Sequence, residues 1–206
     1  MDLSSIFKVV SAQLTDQKTV LNEADEYNHD HGDNMVQIFN LIQNAVSKKS
    51  DEPVVNQLTY ASQVVKKESQ SGSAKLLAQG LADAALNFSD KDLQPDTLGL
   101  LVQSLLNVKQ EEAPKKEQGD LLGSLLSGLA GKKEAEAAES EPKLGVDELM
   151  RAGLAYFQAK QDGSSDVEAL IGALLAASPM GQSKHRSMSG SLIANAILGF
   201  AKAGNK

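Results

Sequence analysis

The sequence predicts an all-α fold of about eight antiparallel amphipathic helices. Every long segment repeats its apolar residues at helical spacing, and none shows the strict alternation of a half-buried strand. Aromatic residues are scarce, with five Phe, three Tyr and no Trp, whereas Ala, Leu, Gly, Ser and Gln are plentiful. This composition favours helices packed closely through small residues over a sheet. We expect a single domain, 1–206.

The predicted helices follow from apolar stripes and start signals. Ile6, Val10 and Leu14 lie on one face of the first, and Asp33 or Asn34 is the expected N-cap of the second. An acidic turn ending in proline starts the third, and a Ser/Gly turn precedes the fourth. In chain order, the predicted helices cover residues 3–18, 35–46, 54–67, 74–88, 95–108, 146–160, 166–177 and 189–203.

The segment 109–143 differs in character from the rest of the chain. Its flanks are charged and low in complexity, which cannot support a core. Between them lies 119–131, GDLLGSLLSGLAG, an apolar stretch diluted with Gly and Ser. We expect 109–143 to be a flexible insertion or linker within the domain. The alternatives are a short helix under the domain, a lid, or a segment that faces lipid or a partner.

Charge and residue content exclude several classes of function. The formal net charge is −7 and the lysines are scattered, so no basic patch for nucleic acid is expected. The absence of cysteine excludes disulfides, thiolate nucleophiles and Cys-ligated zinc. The N-terminus does not read as a signal peptide, and no apolar run reaches the roughly 18 residues of a membrane span. We expect a cytoplasmic protein that is not an integral membrane protein.

A strongly polar stretch, residues 21–35, lies between the first two predicted helices. Its polar side chains include Asn22, Glu23, Asp25, Glu26, Asn28, His29, Asp30, His31, Asp33 and Asn34. Several oxygen ligands at short range, on a backbone that curls at Gly32, are what a hard divalent cation requires. The alternative is a solvated acidic loop that ends in a helix cap.

The string D-H-G-D-N-M at residues 30–35 resembles a motif of the nucleotide-binding domain of dihydroxyacetone (glycerone) kinase, the DhaL family. In that family three aspartates, spaced D-x4-D-x-D, hold two magnesium ions against the phosphates of a nucleotide. The matching positions here are Glu23, Asn28 and Asp30. The resemblance therefore implies a site for Mg²⁺ with ATP or ADP, in which one aspartate is kept, one is lengthened and one has lost its charge.

The same resemblance implies further positions. Asp25 or Asp33 could supply the missing charge of the metal site. Ser-Gly at residues 71–72 resembles the family's G-A-S-G turn into a helix, and residues 189–191 keep a Gly and a Ser of a later loop. The implied fold is an α-barrel whose loops gather at one end. The implied nucleotide-binding residues are His31, Asn34, Met35, Ser71, Gly72, Ser73 and Gly190.

Three functions are consistent with these features. The first is glycerone-kinase-like phosphoryl transfer, with a separate substrate-binding protein of the dihydroxyacetone or fatty-acid type as partner. The second is a degenerate DhaL-like protein that binds a nucleotide, partner or apolar ligand without turnover. The third is a helical barrel for an apolar ligand. The single oxygen of the Asn28 amide cannot bridge two cations as a carboxylate does, so enzymatic activity stays open and no residue is assigned as catalytic.

Overall fold

The computed structural model describes residues 1–107, 154–156, 158–159, 162–163 and 165–203. All regular structure in these ranges is helical, so the predicted all-α class is confirmed for the described chain. The helices are α1 Leu3–Asp16, α2 Lys18–Glu23, α3 His31–Lys48, α4 Val54–Glu68, α5 Gly72–Asn87, α6 Leu98–Leu105, α7 Asp166–Ala176 and α8 Lys184–Ala203, with a 3-10 helix at Pro179–Gln182. None of the described helices has both the length and the hydropathy needed to cross a bilayer.

Six helices pack side by side into a closed ring. α1 contacts α3, α3 contacts α4, α4 contacts α5 and α5 contacts α6, and α8 closes the ring by contacting both α6 and α1. α7 and the 3-10 helix pack against α8. The interior is filled by large apolar side chains that the helical stripes supply; the largest are Phe7, Phe39, Leu3, Ile6, Leu14, Leu21, Met35, Ile38, Ile42, Leu58, Leu77 and Leu81.

Neighbouring helices in the ring run antiparallel, so alternate connections lie at the same end. Ser4 at the start of α1 and Ser47 at the end of α3 have their hydroxyl oxygens 2.6 Å apart. At the opposite end, the connection 24–30 and the start of α5, which follows the turn 69–71, both meet the first turns of α8. We call this end, formed by residues 24–30, 69–71 and the start of α8, the loop end.

The polar stretch 21–35 is more helical than predicted. The first helix stops at Asp16, and the chain forms a separate six-residue helix, α2, anchored by the buried Leu21. α3 then starts at His31 instead of Met35. The D-H-G-D-N-M string therefore forms the N-cap and first turn of a helix. Its residues His31, Gly32 and Met35 are already buried positions of α3.

Other predicted boundaries also shift. The predicted loop before residue 189 contains the 3-10 helix and the first turn of α8, which starts at Lys184. α6 spans only Leu98–Leu105 of the predicted 95–108; residues 95–97 form a turn, and Asn107 has a positive φ of 55°. The predicted insertion 109–143 lies outside the described residues. The predicted helix 146–160 is described only at 154–156 and 158–159, which are helical.

Candidate functional site: the loop end

The N-terminus of α3 is capped by a side chain from α2. The Oδ1 atom of Asn22 accepts hydrogen bonds from the backbone N–H of Gly32, at 2.6 Å, and of Asp33, at 3.2 Å. Asp30, at the N-cap position itself, makes no side-chain cap bond. The predicted caps Asp33 and Asn34 lie inside the helix. The first N–H groups of a helix lack intrahelical acceptors, so the α2 amide supplies what the local sequence does not.

α2 lies directly against the first turn of α3. A Cβ atom added at Gly32 would overlap the backbone carbonyl oxygen of Lys18, so only glycine permits this approach. The Nδ2 group of Asn22 also donates to Asp33 Oδ2 at 2.7 Å, and Lys18 Nζ lies 2.9 Å from Asp33 Oδ1. The hydrogen bonds from Lys18 and Asn22 lower the pKa of Asp33. Asp33 is thus committed to partners within the α2–α3 junction.

Asp25 is a buried carboxylate at the centre of the loop end. It is 4 % exposed, accepts a hydrogen bond from the backbone N–H of Tyr27 at 3.3 Å, and lies 3.8 Å from His185 Nδ1 on α8. Burial alone would raise its pKa, but the backbone bond from Tyr27, the charge of His185 and the backbone bond from Asp30 together lower it. We call the polar stretch 21–35 the acidic loop. The ionised carboxylate of Asp25 joins this loop to α8.

His31 forms a second link to α8, this one from α3. It is 4 % exposed, its Nε2 lies 3.0 Å from the hydroxyl of Ser189, and its ring is 4.5 Å from the ring of His185. Because the Ser189 hydroxyl donates to the carbonyl of Arg186, it accepts from His31 Nε2–H. Burial and the neighbouring His185 lower the pKa of His31 to about 4, against the opposing effect of Asp25, so the ring is neutral near pH 7.

The first residue of α5 lies against the side chain of Arg186. Ser71 is the N-cap of α5, and its Oγ accepts from the backbone N–H of Ala74 at 3.1 Å. A Cβ added at Gly72 would come within 2.9 Å of Arg186 Nη2, which places the guanidinium over the start of α5. The Nε atom of Arg186 is buried and has no hydrogen-bond partner among the described residues.

The residues implied by the resemblance have different environments. Glu23 and Asn28 are exposed, whereas Asp30 is half-buried and accepts a hydrogen bond from Asn34 Nδ2 at 2.7 Å. Met35, Ser73 and Gly190 lie in packed positions. Met35 lies in the hydrophobic core, Ser73 is buried in the first turn of α5, and a Cβ at Gly190 would come within 2.5 Å of Leu175 Cδ2.

Two of these placements change the expected roles. Residues 189–191 do not form a loop before a helix, because they lie in the second turn of α8. Ser189 is fully buried and bonded to His31, and Gly190 allows α8 to approach Leu175 and Leu106. Both therefore serve helix packing in this structure.

The donors at the loop end do not fit a two-magnesium site. No group of three or more His, Asp or Glu side chains that could hold a metal ion occurs within the described ranges. The two carboxylates that could compensate for Asn28 have other partners, since Asp25 faces His185 and Asp33 pairs with Lys18. Phosphoryl transfer through two bridging cations has no matching ligand set here.

Sequence reasoning missed most of the partners that organise this end. Lys18 and Asn22 received no role, although they hold the first turn of α3. The basic string Lys184-His185-Arg186 forms the first turn of α8 and not part of the loop expected before residue 189. The sequence feature that could have identified this string as part of a site is the run of three adjacent basic side chains in a chain with net negative charge.

A cavity of about 470 Å³ lies beside α7 and the 3-10 helix. Asn107, Leu154, Ala177, Ser178 and Gln182 are among its lining residues, and none of the site residues predicted from the sequence is. Its mixed polar and apolar lining differs from the mainly apolar lining of typical small-molecule pockets, so it does not specifically support the apolar-ligand hypothesis.

In comparisons with known proteins, no family model, no curated protein and no solved structure matches the chain. The resemblance to the DhaL family therefore rests on the residues quoted from the sequence, chiefly 30–35, and it stays a prediction.

Proposed function

We propose that this chain is a DhaL-like helical domain that binds a phosphate-bearing ligand, such as ATP or ADP, without transferring a phosphoryl group. The observation that carries the proposal is the position of Arg186, whose guanidinium lies over Gly72 at the start of α5. This function is the second of the three predicted from the sequence, a degenerate DhaL-like protein without turnover, with the Arg186 guanidinium as the binding group.

The start of α5 offers donors that suit an oxyanion. Ser71 Oγ accepts from Ala74, which leaves the N–H groups of Gly72 and Ser73 without an intrahelical acceptor. The positive end of the helix dipole lies at the same place. An arginine fork adds charge-assisted, bidentate donation to a phosphate, which lysine cannot reproduce. Arg186 has no ion pair among the described residues that would compete with a ligand.

The acidic loop supports binding without turnover. Phosphoryl transfer depends on metal ions that neutralise the developing charge and align the reacting groups. The exposed Glu23 and Asn28 and the amide-bonded Asp30 do not form a bridging carboxylate set. The proposal retains a cytoplasmic location and a separate substrate-binding protein as partner, both predicted from the sequence, without assigning a phosphoryl transfer to the pair.

Calorimetric titration of ATP into the full chain tests the proposal, once with excess EDTA and once with Mg²⁺. We expect the two dissociation constants to agree within about threefold, because the ligand contacts come from Arg186 and α5. Arg186→Gln should weaken binding about tenfold or more, which corresponds to about 1.4 kcal/mol. Lys8→Gln, which removes the same charge from an exposed position of α1, should leave the affinity unchanged.

Turnover is followed in the same samples by phosphorus NMR, with dihydroxyacetone as the candidate acceptor. We expect ATP to remain intact above the uncatalysed background. Binding that requires Mg²⁺ together with ADP formation would support the phosphotransferase hypothesis instead. No binding in either buffer, with a wild-type chain that melts cooperatively, would remove the proposed ligand.

A further inference from the structure

The carboxylates of the acidic loop repel one another, and the loop sequence alone does not show what compensates their charge. Five carboxylates occur between residues 21 and 35. Close carboxylate pairs repel one another, and the repulsion grows as water is excluded. A compact conformation therefore requires either bound cations or compensating donors from the chain.

The chain supplies such donors to three of the five carboxylates. Asp33 pairs with Lys18 and accepts from Asn22. Asp25 accepts backbone bonds and faces His185, and Asp30 accepts from the amide of Asn34. The other two, Glu23 and Glu26, are exposed to solvent.

The position that a bound anion would take at the start of α3 is also filled from within. The N–H groups of Gly32 and Asp33 point to Asn22 Oδ1, and the carbonyl of Lys18 lies against Gly32. A phosphate could reach these N–H groups only if α2 moved away. Side chains and backbone groups of the chain therefore occupy the positions that a bound cation or anion would take in this stretch.

From these contacts we infer that residues 18–33 form a metal-independent clasp, in which α2 is held to the first turn of α3 and the connection 24–30 is held to α8. Lys18, Asn22 and the backbone N–H of Tyr27 supply the compensation that a divalent cation would otherwise provide, and His185 faces Asp25 from α8. The donor set described above disagrees with the magnesium site that the resemblance implies, and this disagreement is the basis of the inference. It does not depend on whether a ligand binds at Arg186.

Thermal unfolding of the full chain in EDTA, Mg²⁺ and Ca²⁺ tests the clasp. We expect the wild-type Tm to agree within about 1 °C in all three, since a cation that binds only the folded state would raise it. Asn22→Ala should lower the Tm by about 3 °C or more, because it removes the cap and the bond to Asp33. Asn44→Ala, at an exposed position of α3, serves as the control and should change the Tm little.

Two outcomes would overturn the inference. The first is a wild-type Tm that rises by several degrees with Mg²⁺ or Ca²⁺. The second is an Asn22→Ala protein that behaves like Asn44→Ala or that recovers its stability when Mg²⁺ is added. Neither measurement involves a nucleotide. The clasp can therefore be refuted while ligand binding at Arg186 stands, and ligand binding at Arg186 can be refuted while the clasp stands.

Direct cation binding gives an independent check. Tyr27 is 91 % exposed within the loop, so its ring can sensitise the emission of a terbium ion bound nearby. We expect no saturable emission that Mg²⁺ displaces. Emission that saturates, is displaced by Mg²⁺ and disappears in Tyr27→Phe would place a cation in the loop and contradict the clasp.

Discussion

The side-chain oxygen of Asn22 lies 2.6 Å from the backbone nitrogen of Gly32. This hydrogen bond joins a helix of six residues to the first turn of a helix of 18, across a loop that carries most of the local negative charge. The same amide donates to Asp33, so one side chain both caps α3 and compensates a carboxylate. The loop end is therefore organised by contacts between neighbouring segments and by links from them to α8.

Asp25→Ala tests the link between the loop and α8. We expect the free energy of unfolding to fall by about 2 kcal/mol, because the substitution removes a buried acceptor and leaves His185 without its carboxylate. Urea unfolding at pH 7 measures the change. Glu26→Ala, next to it but exposed, is the control and should stay within about 0.5 kcal/mol of wild type. Equal effects of the two variants would mean that Asp25 makes no special contribution.

The burial of His31 predicts a loss of stability in mild acid. Its pKa is lowered from 6.5 to about 4 in the folded protein, so the unfolded chain takes up the proton first. The contribution is complete above about pH 6.5 and is lost as the pH falls from there towards about 4. Asp25 adds to the loss only below its ordinary pKa of 3.8, since its folded pKa is lowered. Urea midpoints between pH 4.5 and 8 should therefore drop on the acid side, and His31→Gln should flatten that drop. An unchanged pH profile in His31→Gln would assign the titration to another group.

A pair of glycine substitutions tests the close contact between α5 and α6. A Cβ at Gly80 would lie 2.5 Å from the carbonyl oxygen of Ser104, whereas a Cβ at Gly199 would have no atom of the described residues within 4 Å. Gly80→Ala should destabilise by about 1–3 kcal/mol, because backbone atoms must move apart. Gly199→Ala should be neutral or stabilise by up to about 1 kcal/mol through helix propensity. Chemical denaturation of the two variants in parallel measures both free energies of unfolding. A Gly80→Ala protein as stable as wild type would show that α5 and α6 separate easily.

Gly72→Ala connects stability and ligand binding at the proposed site. The new Cβ would come within 2.9 Å of Arg186 Nη2, so the flexible arginine must turn away while the backbone stays in place. We expect ATP affinity to fall about fivefold, or about 1 kcal/mol, with little change in Tm. Unchanged affinity would separate Arg186 from the ligand, and a large loss of Tm would show that the turn itself had been disturbed.

The helices with strong apolar stripes could be predicted from the sequence to within a few residues. α4 and α5 differ from their predicted ranges by two residues or fewer at each end. Leu58 and Leu77 belong to long periodic patterns of apolar residues that predict the buried face of each helix. α2 could not be predicted in this way, since it is six residues long and buries only Leu21. The start of α8 was missed because Lys184, His185 and Arg186 resemble a loop until their tertiary partners are known.

The candidate site was less accessible to sequence reasoning than the fold. Spacing within residues 23–30 suggested ligands for a metal, but it contained no information on which carboxylates the chain would pair internally. The bond between His31 and Ser189 joins positions 158 residues apart, and the contact between Gly72 and Arg186 likewise depends on how the ring closes. Such contacts follow from the packing of helices and not from local periodicity.

The most direct test of this account is a two-dimensional amide NMR titration of the full chain with ADP in EDTA. We expect the N–H signals of Gly72 and Ser73 and the side-chain Nε–H of Arg186 to shift and saturate together. The N–H signals of Gly32 and Asp33, which are bonded to Asn22, should remain in place, and added Mg²⁺ should change nothing further. Shifts at Gly32 and Asp33 that appear only with Mg²⁺ would contradict it, because they would show a ligand and metal entering the acidic loop.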